Sequence, residues 1–104
     1  MSQYARYSSD TILNKLSAVT HTQPSVTSSS GVVLASNGSR KYALIVNHSA
    51  VMVYLSLGAA AAVDSGIPLQ PDGEYTINGL NLWTGAIYAI VSTGTIDINV
   101  TEAT

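Results

Sequence analysis

Histidine, serine and acidic side chains are the groups in this sequence that could carry out catalysis, and the histidines come first. His21 and His48 are the two histidines, and the chain contains no cysteine. A zinc ion needs three or four protein ligands, so carboxylates would have to complete any such site. The absence of cysteine also excludes thiol catalysis and disulfide bonds. Both histidines are therefore predicted to be surface or turn residues.

A serine nucleophile is the second possibility, because His48 lies between Asn47 and Ser49. Adjacent residues of a strand point to opposite faces, which keeps a neighbouring serine and histidine apart. No Gly-x-Ser-x-Gly motif marks a nucleophile elsewhere in the chain. The sequence therefore predicts that the protein is not an enzyme.

The six acidic residues are dispersed along the chain. Asp72 and Glu74 are close enough to share a calcium ion, but the Asp-x-Asp-x-Asp-Gly pattern of a calcium loop is absent. Pro71, Asp72 and Gly73 instead predict a turn in which the glycine takes a positive φ. We expect no metal and no cofactor.

Charged residues are scarce: they make up 10% of the chain, against about 25% in an average protein. The four basic residues, Arg6, Lys15, Arg40 and Lys41, do not form the basic stripe that nucleic-acid binding requires. No apolar run is long enough to cross a membrane, and the first residues do not resemble a signal peptide. We therefore expect synthesis in a cytoplasm, and a neutral surface that packs against other proteins.

From residue 31 onward the sequence is typical of short β-strands separated by Gly, Asn and Pro turns. This spacing predicts an all-β domain over 31–104, either an antiparallel β-sandwich or a jelly-roll-like barrel. The predicted strands cover 32–36, 40–47, 51–57, 67–70, 74–77, 86–92 and 95–101.

Residues 1–30 are predicted to form an amino-terminal arm. A short helix over 9–17 would place Ile12, Leu13 and Leu16 on one face, and such a helix needs a surface to lie on. The alternative is a loosely ordered arm that happens to contain three aliphatic residues. Residues 25–30 are predicted to be a linker or a weak edge strand. We expect the three aliphatic side chains to dock onto another chain.

Several predicted strands are apolar on both faces, whereas a two-layer sandwich buries only one face of each sheet. Met52, Tyr54 and Tyr88 lie on the second faces of their strands, so they are candidates for contact with a neighbouring subunit. The alternative is that the arm covers them. Trp83 is a further interface candidate, although the sequence favours a core position for it at the end of the sandwich.

The order of short motifs between Arg40 and Ile90 resembles small β-sandwich structural proteins of tailed bacteriophages. The resemblance spans about half the chain, and the motifs that carry it are Arg40-Lys41-Tyr42-Ala43-Leu44-Ile45-Val46-Asn47, Val53-Tyr54-Leu55-Ser56-Leu57-Gly58, Gly66-Ile67-Pro68-Leu69, Pro71-Asp72-Gly73-Glu74-Tyr75 and Leu82-Trp83-Thr84-Gly85-Ala86-Ile87-Tyr88-Ala89-Ile90.

This resemblance implies a non-enzymatic virion protein, assembled in the host cytoplasm and located on the phage particle. It implies a capsid decoration or cement protein that binds the major capsid protein or another virion protein and stabilises the head. A homo-oligomer is expected, and a trimer is favoured because capsid lattices offer threefold positions. A tail, neck or fibre adaptor is one alternative. A carbohydrate-binding module that uses Tyr42, Tyr54, Tyr75 and Tyr88 is the other.

Overall fold

The computed structural model describes residues 15–104. This part of the chain consists of β-strands and the loops and turns that connect them. No helix in this part could cross a membrane. The strands are β1 (Val19–Thr22), β2 (Ser25–Thr27), β3 (Gly31–Leu34), β4 (Tyr42–Val46), β5 (Val53–Leu57), β6 (Ile67–Leu69), β7 (Glu74–Ile77), β8 (Ile87–Ile90), β9 (Thr95–Asp97) and β10 (Asn99–Ala103).

The strands form two four-stranded antiparallel sheets, joined by a third pair. The first sheet has the order β1-β10-β4-β7, the second sheet has the order β3-β8-β5-β6, and β2 pairs with β9. The pair Thr22↔Val100 joins β1 to β10, and the pair Ser25↔Asp97 joins β2 to β9. The two pairs have the same register, so the pairing continues from one to the other without a shift. Each of β1–β2 and β9–β10 is therefore a single strand that passes from one sheet towards the other.

With these pairs counted as single strands, eight strands are distributed over two sheets in the order of a jelly roll, and consecutive strands lie in opposite sheets except for β5 and β6, which pair with each other. The predicted all-β antiparallel sandwich is confirmed, and the sheets do not close into a barrel. Successive side chains of a strand point to opposite faces, so every second residue of these strands contributes to the core. Ala43, Ile45, Val53 and Leu55 are fully buried between the sheets, and Ile98 and Val100 bury the apolar face of the last strand.

The arm differs from its prediction in two respects. Within residues 15–104, the first strand starts at Val19 and not at residue 31, because β1 and β2 pair with the end of the chain. Of the two predictions for residues 25–30, a linker or a weak edge strand, β2 agrees with the strand. Residues 15–18 are not helical: the Ser17 amide donates to the carbonyl of Thr104 instead (2.6 Å). The rest of the predicted helix, with Ile12 and Leu13, lies outside the described residues.

The turn between β6 and β7 forms where it is predicted, with a different residue in the left-handed region. The Gly73 amide donates to the carbonyl of Gln70 (2.7 Å), and Asp72 rather than Gly73 has the positive φ, 64°. An aspartate tolerates this conformation better than most residues. Turn geometry therefore accounts for Asp72, as the sequence predicts.

Candidate interaction surfaces

Arg40 organises one end of the sandwich and is 1% exposed. Its Nε donates to Glu102 Oε2 on β10 (2.7 Å). Its two terminal nitrogens donate to three backbone carbonyls, those of Ala35, Trp83 and Gly85. A buried guanidinium is stable only when its charge and its N–H groups are matched in this way. Arg40 therefore ties two loops to the final strand.

Trp83 packs against the core at the same end, where the sequence favours it. Its indole Nε1 donates to the carbonyl of Ala86 (3.1 Å), and its ring lies over Gly58 and Gly85. A Cβ at Gly58 would lie 2.9 Å from the ring, and one at Gly85 would lie 2.5 Å away. Trp83, Gly58 and Gly85 thus form a close-packed corner of the fold.

The loop between β7 and β8 holds Leu80 out in solvent, where it is 99% exposed. Asn78 Oδ1 accepts the Leu80 amide (2.9 Å), and Asn81 Oδ1 accepts the Asn78 amide (2.8 Å). Asn81 also donates from Nδ2 to the carbonyl of Thr76 (2.9 Å). Asparagine side chains fix turns through such bonds to nearby backbone. The leucine is therefore displayed by an ordered turn.

Leu80 lines one side of a groove of about 550 Å³ at the end of the first sheet. We call it the Leu80 groove; its other lining residues are Leu16, Lys41, Tyr42, Asn78, Gly79 and Leu82. Leu16 and Leu82 are 41% and 49% exposed, so three leucines face solvent around one concave surface. Large apolar side chains that gather in this way mark sites of protein contact more often than single exposed ones do.

Lys41 is the only charged residue among those that line the Leu80 groove. Its ammonium group donates to the carbonyl of Lys15 (2.9 Å), which holds the chain against the sheet just before Leu16. The lining of the Leu80 groove is therefore mostly uncharged, and apolar burial would contribute most of the free energy of any contact made there.

The other predicted interface residues lie on the second sheet. Tyr54 and Tyr88 point away from the core on β5 and β8, and both are half-buried. Register pairs Tyr54 with Ile90 and Ser56 with Tyr88, so the two tyrosines are diagonal neighbours on one face. Met52 is half-buried just before β5. The structure brings these residues together, and places Leu16 and Trp83 elsewhere.

The Tyr54 hydroxyl donates to Asp64 Oδ1 (2.9 Å), which fixes its ring beside Pro68 and Gly66. This hydrogen bond to the carboxylate raises the pKa of Tyr54 above its ordinary value near 10, and burial and the negative charge of Asp64 act in the same direction. The phenol is thus held in its protonated form.

In the part of the chain that the structure describes, no hydrogen bond joins His21 or His48 to a serine or to an acidic residue. His21 Nδ1 shares a hydrogen bond with Thr101 Oγ1 on the neighbouring strand (2.9 Å). Ser49 donates from Oγ to Asn47 Oδ1 (2.6 Å), so this serine is engaged by the turn rather than by His48. Within residues 15–104 no three His, Asp or Glu side chains gather as a metal site requires.

Sequence reasoning missed Leu80 and the burial of Arg40. The signal for Leu80 was available in Asn78-Gly79-Leu80-Asn81, where a large aliphatic residue stands alone between turn formers. The burial of Arg40 has no comparable local signal, because three of its four partners are distant in sequence: Trp83 and Gly85 lie in one loop, 43 and 45 residues away, and Glu102 lies on β10.

The geometry defines a class: a jelly-roll β-sandwich with one apolar groove and a tyrosine-bearing sheet face. Comparison of the chain with models of known protein families, with curated proteins and with solved structures found no match in any of the three.

Proposed function

We propose that the protein is a non-enzymatic structural protein of a tailed-bacteriophage particle that decorates and stabilises the head. Its binding partner in this proposal is the major capsid protein or another virion protein. The single observation that carries a docking role is the Leu80 groove, where a fully exposed leucine stands on an ordered turn beside two further leucines. The motif resemblance between Arg40 and Ile90 supports the phage assignment.

The energetics of the groove fit a protein that occurs in many copies on a shell. Burying a fully exposed leucine such as Leu80 is worth roughly 1.5–3 kcal/mol, and the half-exposed Leu16 and Leu82 add less each, so the three together support a modest affinity for a single copy. Repeated contacts on one particle add by avidity. The jelly roll is also found in viral capsid domains, although it occurs in lectins and cupins too and does not fix function by itself.

The test uses phage heads assembled without this protein, to which the purified full-length chain is added. We expect saturable binding to the heads, and we expect Leu80→Asp to weaken it about 10- to 100-fold, since each 1.4 kcal/mol is a factor of ten. Val63→Asp is the matched control because Val63 is also exposed (38%) but lies outside the groove. Melting curves of both variants should match the wild type.

Two results would contradict this proposal. Equal binding by wild type and Leu80→Asp would remove the groove from the interface. Binding to isolated tails or necks, but not to heads, would favour the adaptor alternative instead of decoration.

One observation favours a carbohydrate-binding module as the second candidate. Tyr54 and Tyr88 share the outer face of the second sheet, and Asp64 lies at its edge. Aromatic faces with a nearby carboxylate suit the apolar and hydroxyl groups of a sugar. Tyr75 packs against the core and Tyr42 lies on the first sheet, so those two tyrosines do not contribute to this face. A glycan array tests this candidate, and binding lost in Tyr54→Ala would support it.

A further inference from the structure

The four outer edges of the two sheets differ in how they are protected against pairing with another chain. An unpaired edge is a template for strand addition, and proteins block it with proline, charge, irregularity or a covering loop. The edge strand β6 contains Pro68, β3 has a register shift between Val32 and Leu34, and β7 carries Glu74. Asn81 also binds the carbonyl of Thr76 on β7.

Among residues 15–104, nothing of this kind protects the outer side of the fourth edge, β1. All four of its residues are exposed, and its one strand partner in this part of the chain is β10. No Asp, Glu, Lys or Arg occurs between Leu16 and Ser39, so no charge flanks the strand in sequence. Within residues 15–104, no backbone group pairs with the outer side of β1.

Hydrogen bonds identify which backbone groups face outward. Ala18 and Thr104 exchange two hydrogen bonds (3.2 and 2.9 Å), so they form a hydrogen-bonded pair of the antiparallel ladder. Such pairs alternate along the strand, which turns the backbone groups of Thr20 and Thr22 towards β10. The N–H and C=O groups of Val19 and His21 consequently point away from the sheet.

Pro24 follows the same alternation and does not block this edge. The Ile98 amide donates to the carbonyl of Pro24 (3.1 Å), so the missing N–H of the proline faces the neighbouring strand. The outward row therefore continues through Gln23 and Ser25. Their side chains reach back to Asn99 and Asp97 (2.9 Å each) and leave the edge open.

We propose that β1 pairs antiparallel with β1 of a second copy, which joins the two first sheets into one eight-stranded sheet. A second copy fits this edge because each outward residue offers one donor and one acceptor, and a two-fold axis presents that row to itself. The uncharged sequence removes the like-charge repulsion that would oppose self-pairing. This inference does not depend on attachment to a phage head.

The test compares His21→Pro with His21→Ala in the full-length chain by sedimentation velocity and equilibrium. Both substitutions remove the hydrogen bond to Thr101, but only proline also removes the outward N–H, and proline is tolerated on an edge strand. We expect a dimer for wild type and His21→Ala, and a dimer dissociation constant at least tenfold higher for His21→Pro. Circular dichroism melting checks that both variants are folded.

Amide hydrogen exchange supplies a readout at single residues. The amides of His21 and Gln23 should exchange more slowly in concentrated protein than in dilute protein, whereas the Thr20 amide should be protected at both concentrations. A monomer at about 100 µM, equal dimerisation of the two variants, or an oligomer in which the His21 amide stays unprotected would each overturn the proposal.

Discussion

Arg40 stabilises the fold through buried hydrogen bonds to backbone carbonyls as well as through its ion pair with Glu102. Its side chain is fully buried and donates to Glu102 and to three carbonyl oxygens, and no buried side-chain nitrogen or oxygen in residues 15–104 lacks a partner. When Arg40 is replaced, most of the loss in the free energy of unfolding comes from its hydrogen-bond partners, which stay buried without a donor. The carboxylate and the carbonyls would lose their donors in a site that water reaches poorly.

Arg40→Met is therefore expected to lower the free energy of unfolding by about 3–5 kcal/mol, as for other broken buried ion pairs. Equilibrium urea denaturation measures it. Lys41→Met is the matched control, because the exposed Lys41 has one hydrogen bond and its loss should cost about 0.5 kcal/mol or less. A loss below about 1 kcal/mol for Arg40→Met would show that the network is not needed for stability.

Tyr54 provides a pH-dependent test at the same scale. Because its pKa is raised in the folded protein, the phenol proton is held more tightly there than in the unfolded chain. This contribution to stability is present below about pH 10 and is lost as the pH rises through the raised pKa. Asp64→Asn should move the pKa of Tyr54 down towards its ordinary value.

The chemical shift of the Tyr54 Cζ carbon, followed from pH 8 to 12, measures this titration. Asp72→Asn is the control, because Asp72 lies in the β6–β7 turn and no hydrogen bond joins it to a tyrosine of residues 15–104. An unchanged Tyr54 titration in Asp64→Asn would show that the hydrogen bond to the carboxylate does not control this pKa.

At the scale of elements, the β5–β6 loop and the segment before β8 meet at Trp83. Gly58 has a φ of 80°, and its α-carbon lies under the indole ring. Gly58→Ala combines a left-handed backbone with a Cβ 2.9 Å from the ring, so we expect a loss of about 1–3 kcal/mol and a change in tryptophan fluorescence.

Gly38→Ala is the matched control for this corner. No atom lies within 4 Å of the position its Cβ would take, and its φ is not positive, so the substitution should be neutral or slightly stabilising. Equal stability of the two variants, measured by urea denaturation, would contradict the close packing of Trp83 on Gly58.

Most elements were predictable because their signals are local. The predicted strand over 74–77 coincides with β7, and those over 40–47 and 51–57 contain β4 and β5, since apolar alternation and turn residues mark them. The local signal is weaker at β1 and β2: β1 is not predicted, and β2 lies within residues 25–30, which are predicted to be a linker or a weak edge strand. β1 is Val-Thr-His-Thr and β2 is Ser-Val-Thr, which are too short and too polar to mark a strand by themselves. They become strands because the end of the chain pairs with them.

The two candidate interaction surfaces also differ in how far they can be predicted from the sequence. Met52, Tyr54 and Tyr88 were predictable as a group, because strand alternation places them opposite the core face. The Leu80 groove was not, because it combines a loop, the start of β4 and the residues before β1. Such a surface depends on topology rather than on any one stretch of sequence.

At the scale of the whole molecule, the first sheet carries both proposed contacts. The Leu80 groove lies at its end beside Tyr42, and the open edge lies along β1. Pairing through β1 relates two copies by a two-fold axis, whereas the trimer predicted by analogy with capsid lattices needs a threefold one. Sedimentation at tens of micromolar distinguishes these states, and a monomer alone would contradict both.

Removal of residues 1–14 is expected to leave the sandwich folded and to weaken attachment to phage heads more than tenfold. All the strand pairs of the described sheets lie within residues 15–104, so the melting temperature should stay close to that of the full chain. Ile12 and Leu13 leave with the deleted segment, and burying each is worth roughly 1.5–3 kcal/mol. A deletion that continued to residue 24 would remove β1 and confuse attachment with folding. Undiminished occupancy on heads would make the segment a passive tail, and a truncated chain that unfolds would place it in the core.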